Sequence, residues 1–457
     1  MISNDLTPPI SCPTGWGLVR LKDISKKIGS GATPIGGQAA YQAKRTNYAL
    51  IRSQNVFDRS FSEAGLAFIS DEQAQGLRNV KLEEDDLLLN ITGDGITFGR
   101  TCTVPARILP ACVNQHVAII RVDRDYVHPG YLLAFLTHPQ VKEYIEGFNA
   151  GGSRRAITKA HIESFVVPLP PMPFQIDIAS MLKALDDRIV LLRETNITLE
   201  AITQSLFKSW FVDFDPVRAK LDGRVPEGMD EATAALFPDS FDESEIGLVP
   251  TGWRVGEIGD VVNYVGGGTP STKDAEYWEP GEHAWTTPKD LSGLQSPALL
   301  RTERQISSKG LTKVSSGLLP AGTLLLSSRA PIGYLAITQI PLAINQGYIA
   351  ILPSSQLPPL YMLFWCQQNM EVIKSRANGS TFMEISKKAF SPIPLLVPPA
   401  PVLHAFMIIA SQLFSRLVEN EKQAQTLVCL RDTLLPRLIS GQLRLPEVGT
   451  VLEKAAA

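Results

Sequence analysis

Polar side chains suited to nucleic-acid binding follow short apolar runs in two parts of this 457-residue chain. ALIRSQNVFD carries Arg52, Gln54 and Asn55, and WTTPKDL carries Thr287 and Lys289 in the equivalent place. Arg and Lys can donate to guanine O6 and N7, Asn and Gln can bond adenine N6 and N7, and any of them can hold a phosphate. The sequence therefore predicts DNA contacts by these residues and their neighbours in later turns. The candidate DNA-binding residues are Arg52, Gln54, Asn55, Asn90, Thr92, Ser153, Arg154, Arg155, Lys159, Thr287, Lys289, Ser327, Ser328, Arg329, Ser380, Thr381, Lys387 and Lys388.

No catalytic signature accompanies these residues. The sequence contains no phosphate-binding G-x-x-x-x-G-K-[ST], no G-x-S-x-G nucleophile motif and no Asn-Pro-Pro-aromatic segment of an amino-methyltransferase. Its six histidines and five cysteines lack metal-ligand spacing. We interpret His116 as a surface or loop residue, because Gly347 stands in its place in the second half of the chain. The sequence thus predicts binding without catalysis, with no metal and no cofactor on this chain.

Composition and charge favour a soluble cytoplasmic protein. The net charge is −3, and the acidity is concentrated in residues 171–244, which hold 7 basic and 14 acidic side chains. The start, MISNDLTPPI, lacks the features of a signal peptide. The apolar stretch from Leu395 to Phe414 is interrupted by prolines, so we expect no membrane span.

The two polar groups belong to a tandem repeat. PTGW occurs at Pro13–Trp16 and again at Pro250–Trp253, and each copy continues into a Gly/Thr-Pro loop, apolar strands, an Asn-Gln turn and a Gly-Ser turn. The offset between copies drifts only from 237 at the tryptophan to 227 at the serine of the last turn. Ordered matches at a nearly constant offset indicate two domains rather than an array of short repeats. Polar residue types differ between the copies while the apolar frame persists, as expected for pockets that recognise two different sequences.

Each copy leads into a long helix. In the helix after Pro173, eight of ten heptad seam positions are apolar, and the helix after Pro401 has a similar pattern. We expect the two seams to pack on each other as an antiparallel coiled coil; the alternative is two unrelated amphipathic helices, each packed on its own domain. The predicted seam residues are Leu182, Leu185, Ile189, Leu192, Leu199, Leu206, Leu413, Leu417, Leu427 and Leu434.

The order of PTGW, Thr-Pro loop, strand pairs, Gly-Ser turn, Pro-rich stop with Gln175 and long helix resembles a type I restriction–modification specificity (S) subunit. SLFKSWFVDFDPVRAK at 205–220 and LLPRLISGQL at 434–443 are the most specific parts of this resemblance, which extends from about Pro13 to Leu443. One departure is His404, which stands where the family has the Gln represented by Gln175 in the first copy.

The resemblance implies an α+β fold with two tandem-repeat mixed α/β target recognition domains, separated by two long antiparallel helices that form a coiled coil. The expected boundaries are 1–171 for target recognition domain 1, 172–212 for a central spacer helix, 213–245 for an acidic connector, 246–400 for target recognition domain 2, 401–443 for a C-terminal spacer helix and 444–457 for a tail.

The resemblance also implies a function. Each domain would read one half of a bipartite site in double-stranded DNA, and the helices would set the gap and dock two modification (methyltransferase) subunits. Restriction (nuclease–translocase) subunits would complete the complex, and the partners would carry SAM, ATP and Mg²⁺. Two alternatives are a stand-alone sequence-specific DNA-binding regulator without catalytic partners, and an adhesin-like or scaffolding repeat protein, which would require a secretion signal.

Overall fold

A computed structural model describes residues 6–149, 155–329, 331–379 and 383–443. The chain divides into unit 1, formed by Met1–Ile189 with Thr426–Ala457, and unit 2, formed by Val190–Gln425. Two 40-residue helices, Met172–Phe211 and Ala400–Ile439, contribute residues to both units. In chain order these helices are α5 and α14.

Unit 1 has thirteen strands among its described residues and four helices besides its parts of α5 and α14. The strands are β1 Gly17–Arg20, β2 Ser25–Ser30, β3 Tyr48–Ile51, β4 Val56–Phe57, β5 Ser60–Phe61, β6 Ala67–Ile69, β7 Leu87–Asn90, β8 Thr92–Gly93, β9 Thr101–Thr103, β10 Ala111–Val113, β11 Val117–Val122, β12 Arg155–Ala156 and β13 Val166–Leu169. The helices are α1 Asp71–Gly76, α2 Pro129–Leu136, α3 Pro139–Gly147 and α4 Lys159–Ser164.

In unit 2, the described residues form twelve strands and eight helices besides α5 and α14. The strands are β14 Phe241–Ser244, β15 Gly247–Pro250, β16 Arg254–Glu257, β17 Tyr264–Val265, β18 His283–Thr286, β19 Ala298–Leu299, β20 Arg304–Ile306, β21 Leu324–Ser327, β22 Leu335–Thr338, β23 Ala343–Ile344, β24 Tyr348–Ile351 and β25 Pro394–Val397. The helices are α6 Asp215–Leu221, α7 Glu231–Ala235, α8 Ile258–Val261, α9 Pro288–Ser292, α10 Ser308–Leu311, α11 Pro359–Gln368, α12 Met370–Ser375 and α13 Lys387–Phe390.

The two units share the topology of their main sheets, apart from one extra edge strand, β19, in unit 2. Unit 1 contains a sheet of order β2-β11-β7-β9 and a smaller one of order β10-β3-β6, in which β10 and β3 are parallel. Unit 2 contains the order β17-β24-β21-β22-β19 and a smaller sheet β20-β18-β23, in which β18 and β23 are parallel. The antiparallel pair β1–β13 in unit 1 likewise corresponds to β16–β25 in unit 2. The predicted fold class is confirmed by this duplication and by the two long helices.

The central strands are apolar throughout because both sheet faces are covered. In β7, Leu87 and Leu89 pack into the core formed with α2 and α5, whereas Leu88 points into the core on the other face. In β21, Leu324 and Leu326 face the helical core and Leu325 faces the opposite one. Side chains alternate between faces along a strand, so a strand that is buried on both faces carries apolar residues at consecutive positions.

Within each unit, α5 and α14 pack in antiparallel directions. In unit 2, Asn196 lies opposite Asn420 and Phe207 packs on Phe406, so residue numbers fall along one helix as they rise along the other. In unit 1, Asp186 pairs with Arg431. The ten predicted seam residues are all buried or half-buried.

Helix α14 has a window of mean hydropathy 1.4 and is long and apolar enough to cross a membrane by length and composition. Several of the apolar side chains of α14 are instead buried within the protein. Val402, Phe406 and Ala410 are buried in the core of unit 2, and Leu434 and Leu438 are buried in that of unit 1.

The recurring PTGW tryptophans pack at helix ends. Trp16 meets the ring of Phe174, at the start of α5, edge-on at 5.7 Å. Gly441, with φ of 71°, also borders the first copy, and a Cβ there would lie 2.4 Å from the Cγ of Pro13. Trp253 packs in unit 2 against Phe211, at the end of α5, with 5.9 Å between ring centroids.

The acidic segment after α5 is folded. Val217 of α6 and Phe237, which follows α7, are both buried in the core of unit 2. Lys220 donates its ammonium to the Phe237 carbonyl, which ties α6 to the end of α7. The acidic side chains of this segment are mostly exposed.

The expected correspondence of His404 with Gln175 is wrong. The buried pairs of the two helices are related by an offset of 228, as at Ile178 and Phe406, which places Leu403 in the position of Gln175. Gln175 is buried, and its Oε1 accepts the His128 N–H at 2.9 Å. The residue equivalent to His128 is Pro358, which has no N–H to satisfy. An apolar side chain therefore suffices in the second copy.

Candidate nucleic-acid interface

A shared hydrogen-bonded frame supports the candidate residues in both units. In unit 1, Thr33 Oγ1 donates to Gln115 Oε1 at 3.0 Å, and in unit 2 Thr269 donates to Gln346 at 2.5 Å. The Thr-Pro loop is thereby fastened to the Asn-Gln turn twice, in the same way. The Thr-Pro and Asn-Gln motifs that recur in the sequence contain the residues that form this hydrogen bond.

Glycines allow the close approach that the frame requires. A Cβ on Gly31 would lie 2.1 Å from the carbonyl oxygen of Asn114, and a Cβ on Gly267 would lie 1.9 Å from that of Ile344. No side chain can be accommodated at such distances, so the two glycines of the Thr-Pro loops are required by packing.

The residues that end strands β7 and β21 hold loops and are buried. Asn90 Nδ2 donates to the carbonyls of Ser53 and Thr97 at 3.0 Å each. Ser327 Oγ donates to the Pro331 carbonyl at 2.8 Å. Both side chains are fully buried, so their donor groups hold neighbouring loops. Ser328 is buried as well. Exposed residues near these strand ends are therefore better candidates for DNA contacts than Asn90, Ser327 and Ser328.

The turn after β7 brings a second group together. Thr92 Oγ1 lies 2.6 Å from His116 Nδ1, and β8 pairs with β12, which places Arg155 opposite Gly93. Arg155 Nη1 is 2.6 Å from Glu146 Oε1, and Lys159 Nζ is 3.4 Å from Glu163. Thr92 and Arg155 are half-exposed, whereas Lys159 is exposed.

Arg52, Gln54 and Asn55 gather around one loop of unit 1. Arg52 Nη2 donates to the Gly65 carbonyl at 2.5 Å, and Gln54 Nε2 donates to the same oxygen at 3.3 Å. Asn55 is buried, and its amide donates to the Ser62 carbonyl at 2.9 Å. Asn55 is therefore a structural residue of this loop, while Gln54 is exposed and Arg52 half-exposed.

In unit 2, Thr287 and Lys289 lie at the start of α9. The Thr287 side chain forms a capping box with Asp290, which uses its hydroxyl within the protein. Lys289 Nζ lies 2.9 Å from Glu303, and the hydrogen bond and charge of that carboxylate raise the pKa of Lys289. Both members of this ion pair are exposed.

The remaining cations of unit 2 lie near β21 and α13. Arg329 lies 3.6 Å from Glu384, and their backbones form an isolated bridge. Lys387 and Lys388 are exposed at the start of α13, which Ser386 caps. Lys387 covers Gly266, where a Cβ would meet its Nζ at 3.4 Å. Ser153, Arg154, Ser380 and Thr381 lie outside the described residues.

Two features of this surface could not be found from residue types. Four candidate cations form ion pairs with carboxylates elsewhere in the chain. Ile96, an apolar residue, is exposed next to Gly95, which the Arg155 guanidinium covers. Among the described residues, no three His, Cys, Asp or Glu side chains are grouped as metal ligands.

A repeated mixed α/β unit with polar loops at its strand ends and long paired helices defines a class of DNA-specificity proteins. The chain belongs to the type I restriction modification DNA specificity domain family, whose model matches residues 13–201 and 250–427.

Individual relatives are similar over different extents. The HindI specificity subunit of Haemophilus influenzae is 25% identical over 447 residues, covering 87% of this chain and 94% of that protein. The MjaIX specificity subunit of Methanocaldococcus jannaschii is 38% identical over 171 residues, or 37% of this chain, and the match spans only 39% of that relative. The crystal structure of the M. genitalium S subunit matches the fold with a TM-score of 0.52 and 16% identity, covering 94% of this chain and 98% of that one.

Proposed function

We propose that this chain is the DNA sequence-specificity subunit of a type I restriction–modification complex, with one half of a bipartite site read by each unit. The observation that carries this proposal is the duplicated frame with different polar residues on it. Thr33–Gln115 and Thr269–Gln346 are the same fastening, whereas Thr92 in one unit is replaced by Arg329 in the other. A common scaffold with different hydrogen-bonding groups suits two different half-sites.

The exposed and half-exposed members of the candidate set are the proposed DNA contacts. They include bidentate donors and amides that can recognise base edges, and lysines that suit phosphates. Asn55, Asn90, Ser327 and Ser328 support the loops and are not proposed to touch DNA. The proposed contacts are Arg52, Gln54, Thr92, Arg155, Lys159, Thr287, Lys289, Arg329, Lys387 and Lys388.

An apolar face of α5 is the proposed docking surface for a modification subunit. Val190, Leu191, Ile197 and Ile202 are all exposed large hydrophobic residues. At 100° per residue they fall within about 140° of the helix circumference, on the side opposite the seam. Exposed apolar surface on an otherwise packed helix is typical of a protein interface.

The chemistry of the complex is assigned to its other subunits. We propose two modification subunits and restriction subunits as partners in the cytoplasm, with SAM, ATP and Mg²⁺ bound there. This chain recognises the DNA and positions the modification subunits, and it has no catalytic role.

Methylome sequencing tests the proposal directly. Cells that express this chain with its modification subunit should acquire methylation at a bipartite motif with an unread gap. Cells that express either protein alone should show none. Methylation by the modification subunit at the same motif without this chain would contradict the proposal.

A stand-alone DNA-binding regulator is the second candidate. It would bind its site tightly without partners, so gel-shift assays with and without the modification subunit separate the two functions. We expect tight and specific binding only when both are present.

A further inference from the structure

One exposed apolar side chain lies within the polar surface of unit 1. Ile96 is 72% exposed, and it lies in the loop between Asn90 and Gly99. In both units this loop is closed by a bond from a glycine N–H, at 2.9 Å from Gly99 to Asn90 and 3.1 Å from Gly333 to Ser327. Eight residues lie between these ends in unit 1 and five in unit 2. The longer loop, which presents Ile96, is therefore particular to unit 1.

The loop holds Ile96 in a defined position. Asp94 Oδ1 accepts the Ile96 N–H at 3.1 Å, the Thr97 N–H at 2.9 Å and the Thr97 hydroxyl at 2.9 Å. Gly93 packs so closely that a Cβ there would lie 2.3 Å from Thr97 Oγ1. A loop fixed on both sides of Ile96 loses little conformational entropy on binding, which favours a specific contact.

Ile96 has polar neighbours suited to DNA. The Arg155 guanidinium packs against Gly95, with 3.7 Å between its Cζ and the position of a Cβ there. Thr92 precedes the same turn and bonds His116. An apolar group beside a cation and a hydroxyl matches the major-groove edge of a thymine, which presents the O4 acceptor and the 5-methyl group together.

We propose that Ile96 contacts the 5-methyl group of a thymine in the half-site read by unit 1, and is thus a specificity-determining residue. This inference rests on the proposed function. Isolated exposed isoleucines are common on protein surfaces. Ile96 differs from them by its fixed loop and by its place next to Gly95, which the Arg155 guanidinium covers. The shorter loop of unit 2 also contains an isoleucine, Ile332, but that side chain is half-buried against the core of unit 2.

The test uses the full chain assembled with its modification subunit, after its bipartite motif has been determined. Each thymine of the half-site, on either strand, is replaced in turn by deoxyuridine, which removes only the 5-methyl group. We expect one replacement to weaken binding about fourfold, the effect of burying one methyl-sized group. Ile96→Ala should weaken binding to the thymine duplex by a similar factor and abolish the response to deoxyuridine at that position alone.

Two control variants make the test specific. Ile96→Val keeps a branched apolar group and should keep the deoxyuridine response, and Ile246→Ala, which removes an exposed isoleucine of unit 2, should leave it unchanged. An unchanged response in Ile96→Ala, a half-site without a responsive thymine, or loss of modification-subunit binding in Ile96→Ala would each overturn the inference. Absence of any bipartite methylation motif would instead refute the proposed function.

Discussion

Asn420 donates its Nδ2 hydrogen to Asn196 Oδ1 over 3.0 Å in the seam between α14 and α5, and both side chains are almost fully buried. Asn196 in turn donates to the Leu417 carbonyl at 3.2 Å. In an apolar seam, such a pair is satisfied only when the helices lie in one register. A single buried Asn is known to select register in coiled coils, at some expense of stability.

Breaking this pair on one side should destabilise unit 2. Asn420→Ala leaves the buried Asn196 carbonyl oxygen without its donor, so we expect the free energy of unfolding to fall by about 1–3 kcal/mol in urea titrations. The double variant Asn196→Leu/Asn420→Leu should recover most of this loss, because neither polar group remains. A loss in the double variant equal to the sum of the losses in the Asn196→Leu and Asn420→Leu single variants would show that the pair does not interact energetically.

A cluster of three charged side chains, which involves both α5 and α14, should stabilise unit 1. Asp186 accepts from Arg59 at 2.7 Å and from Arg431 at 2.9 Å, and all three side chains are at most 17% exposed. Burial lowers the pKa of Arg431, but its bonds to Asp186 and Asp432 raise it overall. Asp186→Ala removes the carboxylate that Arg59 and Arg431 share, which leaves Arg431 with Asp432 alone, and should lower the free energy of unfolding by about 3–5 kcal/mol.

Asp187→Ala is the matched control for that variant. Asp187 is 63% exposed and pairs only with Lys183 across one helical turn among the ion pairs of the described residues. An exposed pair of this kind contributes about 0.3–0.5 kcal/mol. If both variants lost the same stability in chemical denaturation, the cluster would have no special role.

Removing a carboxylate that masks a candidate cation should strengthen DNA binding. Glu303→Gln frees Lys289 for a phosphate, so we expect tighter binding at low salt and a plot of log K against log salt that is steeper by about 0.9. Glu419→Gln makes the same charge change at an exposed pair on α14 and should leave the slope unchanged. Fluorescence anisotropy over a salt series measures both, and identical slopes would exclude Lys289 as a phosphate contact.

Variants in the two units should alter different halves of the recognised site. Arg52→Ala with Arg155→Ala should relax one half, and Lys289→Ala with Arg329→Ala should relax the other, with about 1–3 kcal/mol of discrimination lost for each base contact. The measurement is the methylated motif of each double variant in cells. If either pair changed both halves equally, recognition of one half-site by each unit would be wrong.

Acid should loosen the loop that carries Ile96. Hydrogen bonds from the Thr97 backbone, the Thr97 hydroxyl and the Ile96 N–H lower the pKa of Asp94. A depressed pKa in the folded state means that the carboxylate's stabilisation is complete above the unfolded value of about 3.9 and is lost as pH falls through the folded value. Carbon-13 NMR titration of Asp94 should therefore give a midpoint below 3.9. The protection factor of the Thr97 amide against hydrogen exchange, taken relative to its intrinsic rate at each pH, should fall over the same pH range, and Asp94→Ala should show a low protection factor at every pH.

The sequence by itself determined the duplication, the long helices and the family. Apolar runs such as LLLN in β7 and LLLS in β21, the two PTGW motifs and the heptad leucines are set by covalent order and by side-chain periodicity. Such patterns predict the structure because strands and helices place successive residues on predictable faces. The aromatic residues of SLFKSWF are also evident in the sequence. In the structure, Phe207 and Phe211 both pack on Phe406.

Only the tertiary structure decided which polar residues are available to a ligand. Gln54 and Asn55 are neighbours of similar chemistry, yet one is exposed and the other is buried with its amide bonded to Ser62. Asn90 likewise supports a turn, whereas the apolar Ile96 is exposed. A loop side chain has no periodic face, so its exposure depends on contacts between residues far apart in sequence. The pairing of Lys289 with Glu303, 14 residues apart, arises in the same way.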